Sequence, residues 1–125
     1  MSEKKSSIDN YLPLTPAVFQ ILLALYMGEQ HGYRIMQSVY ENSGGKFRMG
    51  PGTLYGTIKR MLAIGLIEEA GERPDPSLDD ERRRYYRLTE IGHKVVRAET
   101  ERLSILVSFA KAQNLIPSSN SENIG

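Results

Sequence analysis

At 125 residues with 40% hydrophobic content, the chain has material for one modest core and not for several domains. It contains no cysteine, which excludes a disulfide framework, a thiolate metal site and a thiol nucleophile. Lys and Arg number 16 against 15 Asp and Glu, a net charge of only +1, so any affinity for nucleic acid has to come from where the charges sit and not from their sum.

Met1 to Asn10 is charged and serine-rich with almost nothing to bury, and it lacks the apolar run of a signal peptide. It reads as a mobile arm, with Tyr11 the first residue to pack. The longest apolar run, Ala17 to Met27, is interrupted by Gln20 and too short to span a bilayer, so a soluble, cytoplasmic protein with no membrane partner is expected. Thr15 followed by Pro16 is a helix start, a cap and then a first-turn proline, and the helix should run to Gly28. Its sequence is apolar on nearly every side. Val18, Ile21, Leu22 and Leu25 can fill the domain's own core, which leaves Phe19, Leu23, Tyr26 and Met27 needing a second cover. A partner subunit is the natural one; the plainer reading is the central helix of a monomer.

After a turn at Gly28 to Gly32, Tyr33 to about Glu41 reads as a second helix with Ile35, Met36, Val39 and Tyr40 as its apolar side, closed by Asn42, Ser43, Gly44 and Gly45. Lys46 and Arg48 lie in the connector that follows, with Phe47 between them as an anchor. His31 sits in a turn and His93 is the only other histidine in the chain, so it reads as a structural or surface residue and not as a metal ligand or general base.

A third helix starts at Pro51, where the missing N–H has no intrahelical partner to lose. Leu54, Ile58, Met61 and Leu62 recur at i, i+4, i+7 and i+8 and form one apolar stripe. Gly52, Gly56, Lys59, Arg60 and Ala63 point the other way, with Thr53 and Tyr55 on the flanks. Each exposed glycine costs the helix roughly 1 kcal/mol against alanine. Small residues bracketed by cations suit the major groove, where phosphates line both walls and central bulk would block entry. An ordinary amphipathic surface helix with solvated cations is the bland alternative. Gly65 ends this helix as a left-handed cap.

Leu66 to Ala70 reads as a strand, Gly71 to Glu81 as a long hairpin tip rich in proline, glycine and acid, and Arg82 to Leu88 as the return strand. Alternation sets Arg82, Arg84, Tyr86 and Leu88 on one face against Arg83, Tyr85 and Arg87 on the other. Arg82, at the strand's end, and Arg83, on the solvent face, are the candidate phosphate contacts. Some of these arginines are expected to pair with Glu68, Glu69, Asp79, Asp80 and Glu81. Thr89 then caps a last helix with Glu90 in its first turn. Its stripe of Ile91, Val95, Val96, Leu103, Leu106, Val107 and Ala110 runs to about Leu115, and Pro117 stops it. The far half outruns any core this small and reads as a pairing surface.

The order helix, helix, helix, strand, long turn, strand, long helix predicts a mainly α chain with a small β-hairpin, a winged helix-turn-helix with a C-terminal dimerisation helix. The expected organisation is a disordered arm at 1–10, a DNA-binding domain at 11–88, a dimerisation helix at 89–116 and a disordered tail at 117–125. No catalytic cluster, metal-ligand spacing or cofactor motif is present, and Gly50 to Thr53 is not followed by the lysine of a phosphate loop. No residue pattern defines a small-molecule effector.

GTLYGTIKRMLAIGLIE followed by DDERRRYYRLTEIG closely resembles the PadR family of bacterial transcriptional regulators, and the likeness extends to LTPAVFQILLAL and HGYRIMQ, covering Leu14 to Arg97. The single final helix resembles the smaller PadR subfamily. The resemblance implies a homodimer that binds double-stranded DNA, usually as a repressor on an inverted-repeat operator, paired through its first and last helices. It implies DNA contacts at Thr53, Tyr55, Lys59 and Arg60; Leu54 matches the motif but belongs to the core by periodicity. Gly56, Lys46, Arg82 and Arg83 complete the candidate DNA set, and Phe19, Leu23, Tyr26, Leu103, Leu106, Val107 and Ala110 form the candidate dimer interface. Some relatives hold planar aromatic drugs between stacked tryptophans at that interface, and this chain has no tryptophan. The competing reading is a winged-helix protein-interaction module without specific DNA binding; Lys59, Arg60 and the arginine strand favour DNA.

Overall fold

The computed structural model describes residues 7–74 and 82–117. The arm, the hairpin tip and the tail expected from the sequence fall in part on residues 1–6, 75–81 and 118–125, outside the described residues. Within residues 7–12, a short helical turn brings Ile8, Tyr11 and Leu12 against the core, and the Tyr11 hydroxyl donates to the Ile64 carbonyl at 3.1 Å.

Helix α1 (Pro16–Tyr26) begins as the cap chemistry requires, with the Thr15 Oγ1 accepting from the Val18 N–H at 3.3 Å and Pro16 in the first turn. Ile21, Leu22, Ala24 and Leu25 are buried, while Phe19 and Leu23 are half-buried and Tyr26 and Met27 are exposed. A two-residue strand β1 (Gln30–His31) follows, then helix α2 (Gly32–Asn42), capped by His31, whose Nδ1 accepts from the Arg34 N–H at 3.2 Å. The α2 chain reverses through Gly44 and Gly45, both at positive φ, with the Gly45 N–H donating to the Tyr40 carbonyl at 2.8 Å.

Helix α3 (Pro51–Ala63) buries Leu54, Ile58 and Met61 as the periodicity predicts. Thr57 is also buried, and its hydroxyl is satisfied by donating to the Thr53 carbonyl at 2.7 Å. Gly65, at φ +82°, closes the helix in a Schellman arrangement, with the Leu66 N–H donating to the Met61 carbonyl at 3.0 Å and the Gly65 N–H to Leu62 at 3.2 Å.

Strands β2 (Ile67–Pro74) and β3 (Arg82–Leu88) pair antiparallel from Ile67 opposite Leu88 to Pro74 opposite Arg82. Strand β1 pairs with the other side of β3, so the sheet has three strands in the order β1-β3-β2, one more than a simple hairpin. Residues Gly71 to Pro74, read from sequence as hairpin tip, continue β2 instead. A register shift between Glu69 and Gly71, with Gly71 at φ +103°, marks the bulge that re-aims the strand. Pro74 is tolerated because β2 is an edge strand.

Helix α4 (Glu90–Ala112) is capped by Thr89, whose Oγ1 accepts from the Gly92 N–H at 3.0 Å. The same hydroxyl lies 2.6 Å from the Gly65 carbonyl, to which it donates, and the Thr89 N–H donates to the Leu66 carbonyl at 3.1 Å. The end of α3 is thereby tied to the start of α4. Val95 and Val96 enter the core, and Glu99 is buried at 1% exposure. Glu99 is not stranded: Oε1 accepts from Arg102 Nε at 2.6 Å, and Oε2 from Arg102 Nη2 at 3.0 Å and the Leu14 N–H at 2.8 Å. Beyond Ser104 the helix leaves the body, with Ile105, Leu106, Val107 and Phe109 exposed. It ends at Ala112 and not near Leu115, because Asn114 adopts φ +66° and the Leu115 N–H folds back to the Ala110 carbonyl at 3.1 Å.

Candidate nucleic-acid interface

The face of α3 turned away from the core carries Gly52, Thr53, Lys59 and Arg60 exposed, with Gly56 partly so. Why glycine stands there can be tested by asking what a Cβ would meet. At Gly52 it would meet nothing within 4 Å, and at Gly56 only Arg60 Nη1 at 4.0 Å. Neither residue needs positive φ, since the positive-φ glycines are at 28, 44, 45, 65 and 71. No packing or backbone requirement among the described residues accounts for glycine at 52 and 56. Gly32 and Gly92 differ, because a Cβ on Gly32 would overlap the Tyr55 ring and one on Gly92 would overlap the Leu66 carbonyl oxygen.

The cations around this face are held in different ways. Arg60 Nη2 donates to Thr57 Oγ1 at 3.3 Å, which lays its guanidinium along the helix. Lys46 and Lys59 are exposed, and neither they nor Arg60 forms an ion pair with a carboxylate among the described residues. Tyr55 is 44% exposed, but its ring lies across Gly32 at the start of α2, so it joins α3 to α2 as well as facing outward.

The wing sheet is electrostatically the opposite. Arg84 lies 3.7 Å from Glu69 and 3.4 Å from Glu72, and Arg87 lies 2.8 Å from Glu68 and 3.4 Å from Glu29. Arg73 reaches Glu29 at 2.7 Å and stacks over the Tyr85 ring at 4.1 Å. Arg73, with Arg87 beside it, holds the Glu29 carboxyl below its ordinary range. The predicted pairing of strand arginines with Glu68 and Glu69 is present, while Asp79, Asp80 and Glu81 lie outside the described residues, as does the Arg82 side chain. Arg83 is half-buried over the Tyr33 ring at 5.6 Å, and not on an open solvent face as the alternation suggested. Sequence reasoning missed Glu29, whose role as the acid shared by two arginines depends on the turn that brings it to the sheet.

The residues proposed for pairing fall into two groups. Phe19, Leu23 and Leu103 line a groove of about 440 Å³ beside the Glu99–Arg102 pair. Leu23 and Tyr26 line a second groove of about 480 Å³ against Val96, Thr100 and Ser104. Leu106 and Val107 stand on the projecting part of α4, 54% and 46% exposed, with Ala110 half-buried further along.

Helices α2 and α3, the connection between them and the β2–β3 wing define a winged helix-turn-helix. The Transcriptional regulator PadR-like family matches residues 21–98, and the chain belongs to that family, whose members are transcriptional regulators and not enzymes. It is similar to an uncharacterized 37.1 kDa protein in transposon TN4556 of Streptomyces fradiae, 33% identical over 86 residues; the match takes in 69% of this chain and only 22% of that protein's length. Among solved structures, a PadR family transcription regulator from Clostridium difficile matches at TM-score 0.68 and 24% identity over 82% of this chain and all of the other. Bacillus subtilis PadR in complex with operator DNA matches at TM-score 0.58 and 22% identity, over 69% of this chain and 46% of that one. Among the described residues no helix is long and apolar enough to cross a membrane.

Proposed function

We propose that the protein is a cytoplasmic, homodimeric, sequence-specific repressor that binds an inverted-repeat operator, with residues 11–88 as the DNA-binding domain and 89–116 as the dimerisation helix. The carrying observation is the α3 face, where glycines that no contact among the described residues requires sit between cations that pair with no carboxylate among those residues. That combination suits close approach to an object lined with phosphates. The solved complex of Bacillus subtilis PadR with operator DNA supports the same reading by likeness of fold. Thr53, Gly56 and Arg60 lie nearest the bases, and Lys46, Tyr55 and Lys59 meet the backbone.

Gly56 is the test. With open space at its Cβ, Gly56→Ala should stabilise the fold by about 1 kcal/mol through helix propensity. Gly56→Gln should fold and dimerise like the parent yet bind the duplex immediately upstream of its own coding region at least about tenfold more weakly, a loss of about 1.4 kcal/mol. Thermal melts and fluorescence anisotropy read the two quantities separately. Parental affinity in the glutamine variant would move the protein-interaction reading ahead.

Salt dependence apportions the cations. Replacing Arg82 and Arg83 by alanine should flatten the slope of log affinity against log salt by about 0.9 for each phosphate no longer neutralised.

Dimerisation follows from the apolar length of α4 outside the body. Leu106→Glu should shift sedimentation at micromolar concentration toward monomer. It should also weaken operator binding, because two half-sites are then read separately.

A further inference from the structure

The connection between α2 and α3 alternates in a way that fixes where its cations point. Phe47 is half-buried and packs against the core, its N–H held by Ser43 Oγ at 2.9 Å, and Met49 is buried at 4% exposure. Between these two anchors, Arg48 is exposed and turned back onto α2, where its guanidinium carbon stands 4.5 Å from the centre of the Tyr40 ring. The phenol end of that ring lies beside Gly45, where an added Cβ would stand 3.3 Å from the Tyr40 hydroxyl and where φ is +79°, a conformation that favours glycine. Arg48 makes no ion pair with a carboxylate among the described residues. It forms one wall of a cleft of about 200 Å³ lined with Tyr33, Met36, Gln37, Tyr40 and Met49. At the other end of the cleft, two turns along α2, Tyr33 carries the wing's Arg83.

We propose that this cleft seats a backbone phosphate of duplex DNA on the Arg48 guanidinium, with Tyr40 as the residue that positions it. The inference rests on the DNA-binding reading above and adds a contact to it. Arg48 lies two residues before Gly50, the cap of α3, so a helix whose N-terminal turn enters the groove brings Arg48 to the groove's edge. A guanidinium held flat against a ring loses little freedom on meeting a phosphate and keeps its edge donors for bidentate bonds. An unstacked lysine would lack both properties.

The test is anisotropy with a random-sequence duplex between about 50 and about 200 mM salt. Arg48→Ala should lower the slope of log affinity against log salt by about 0.9. Tyr40→Leu leaves the charge in place and removes the stack, so it should keep the parental slope and weaken binding about two- to fivefold at every salt. Tyr40→Phe keeps the ring and should match the parent, and melting curves check that all three variants fold. Inorganic phosphate at matched ionic strength should not displace the duplex. A parental slope in Arg48→Ala, a slope reduction in Tyr40→Leu equal to that of Arg48→Ala, or displacement by inorganic phosphate would each overturn the proposal while leaving the wider reading intact. A parent chain that bound no duplex at all would overturn both.

Discussion

Gly92→Ala should destabilise the fold by about 3–5 kcal/mol, enough to unfold much of a domain of ordinary stability, although alanine is the better helix former by about 1 kcal/mol. The added methyl would overlap the backbone oxygen of Leu66, an atom that cannot rotate away. Moving the first turn of α4 outward to make room would break the bond from the Thr89 N–H to that same oxygen and withdraw Val95 and Val96 from the core. Overpacking therefore outweighs propensity by a wide margin. Gly56→Ala is the internal control, being the same substitution on a helix with nothing in its way. Chemical denaturation of the two variants should give shifts of opposite sign.

Glu99→Ala should cost about 2–3 kcal/mol, from the unsatisfied Leu14 N–H and the space left among apolar neighbours. The Arg102 side chain is 40% exposed and its guanidinium can regain water, which keeps the loss below that of a wholly buried pair. Glu99→Gln should cost less, since an amide oxygen still accepts from Leu14. The glutamine variant has a separate signature in acid. Arg102 first, and the Leu14 N–H after it, hold the Glu99 carboxyl below its ordinary value of 4.5 against the opposing effect of burial. A depressed folded-state pKa gives stability that is complete above the unfolded value and is lost as pH falls through the folded one. Melting temperature should fall less steeply below about pH 4.5 in Glu99→Gln than in the parent. Identical acid limbs would mean that the pair adds no pH-linked stability.

What the sequence revealed was the part governed by local chemistry. Thr15 and Thr89 cap as their hydroxyls dictate, Gly65 closes α3 in the left-handed conformation expected of it, and Leu54, Ile58 and Met61 reach the core because three points at helical spacing define a face. Strand β1 was illegible because two residues carry no period, and Gln30 and His31 become a strand only by meeting Tyr86 and Tyr85, more than fifty positions away. Separation in sequence also hides the packing of Tyr55 on Gly32: the periodicity places the tyrosine on a flank, and only the turn before α2 decides what that flank touches. Glu99 was readable in principle. It stands three and four residues after Val96 and Val95, on the stripe that enters the core, and an acid on such a stripe signals a partner at i+3, here Arg102. Thr57 gives the same kind of signal, three residues after Leu54 and satisfied by its own helix. The wing arginines were legible as a charge run, and their pairing with Glu68 and Glu69 was expected, but Glu72 and Glu29 were not, because one was read as hairpin tip and the other comes from the turn before β1.

The hydroxyl of Thr89 fastens the last turn of α3 to the first turn of α4 through the Gly65 carbonyl, at 2.6 Å. In the proposed dimer this makes α4 a ruler, with the reading head attached directly to one end of a 23-residue rod about 35 Å long. A tilt of about 5° at the paired end carries the attached end through about 3 Å, close to the 3.4 Å rise between neighbouring base pairs. Small changes in how two copies lean on each other therefore become whole steps along the operator, and the spacing between half-sites is set as much by the angle of α4 as by any residue that touches DNA.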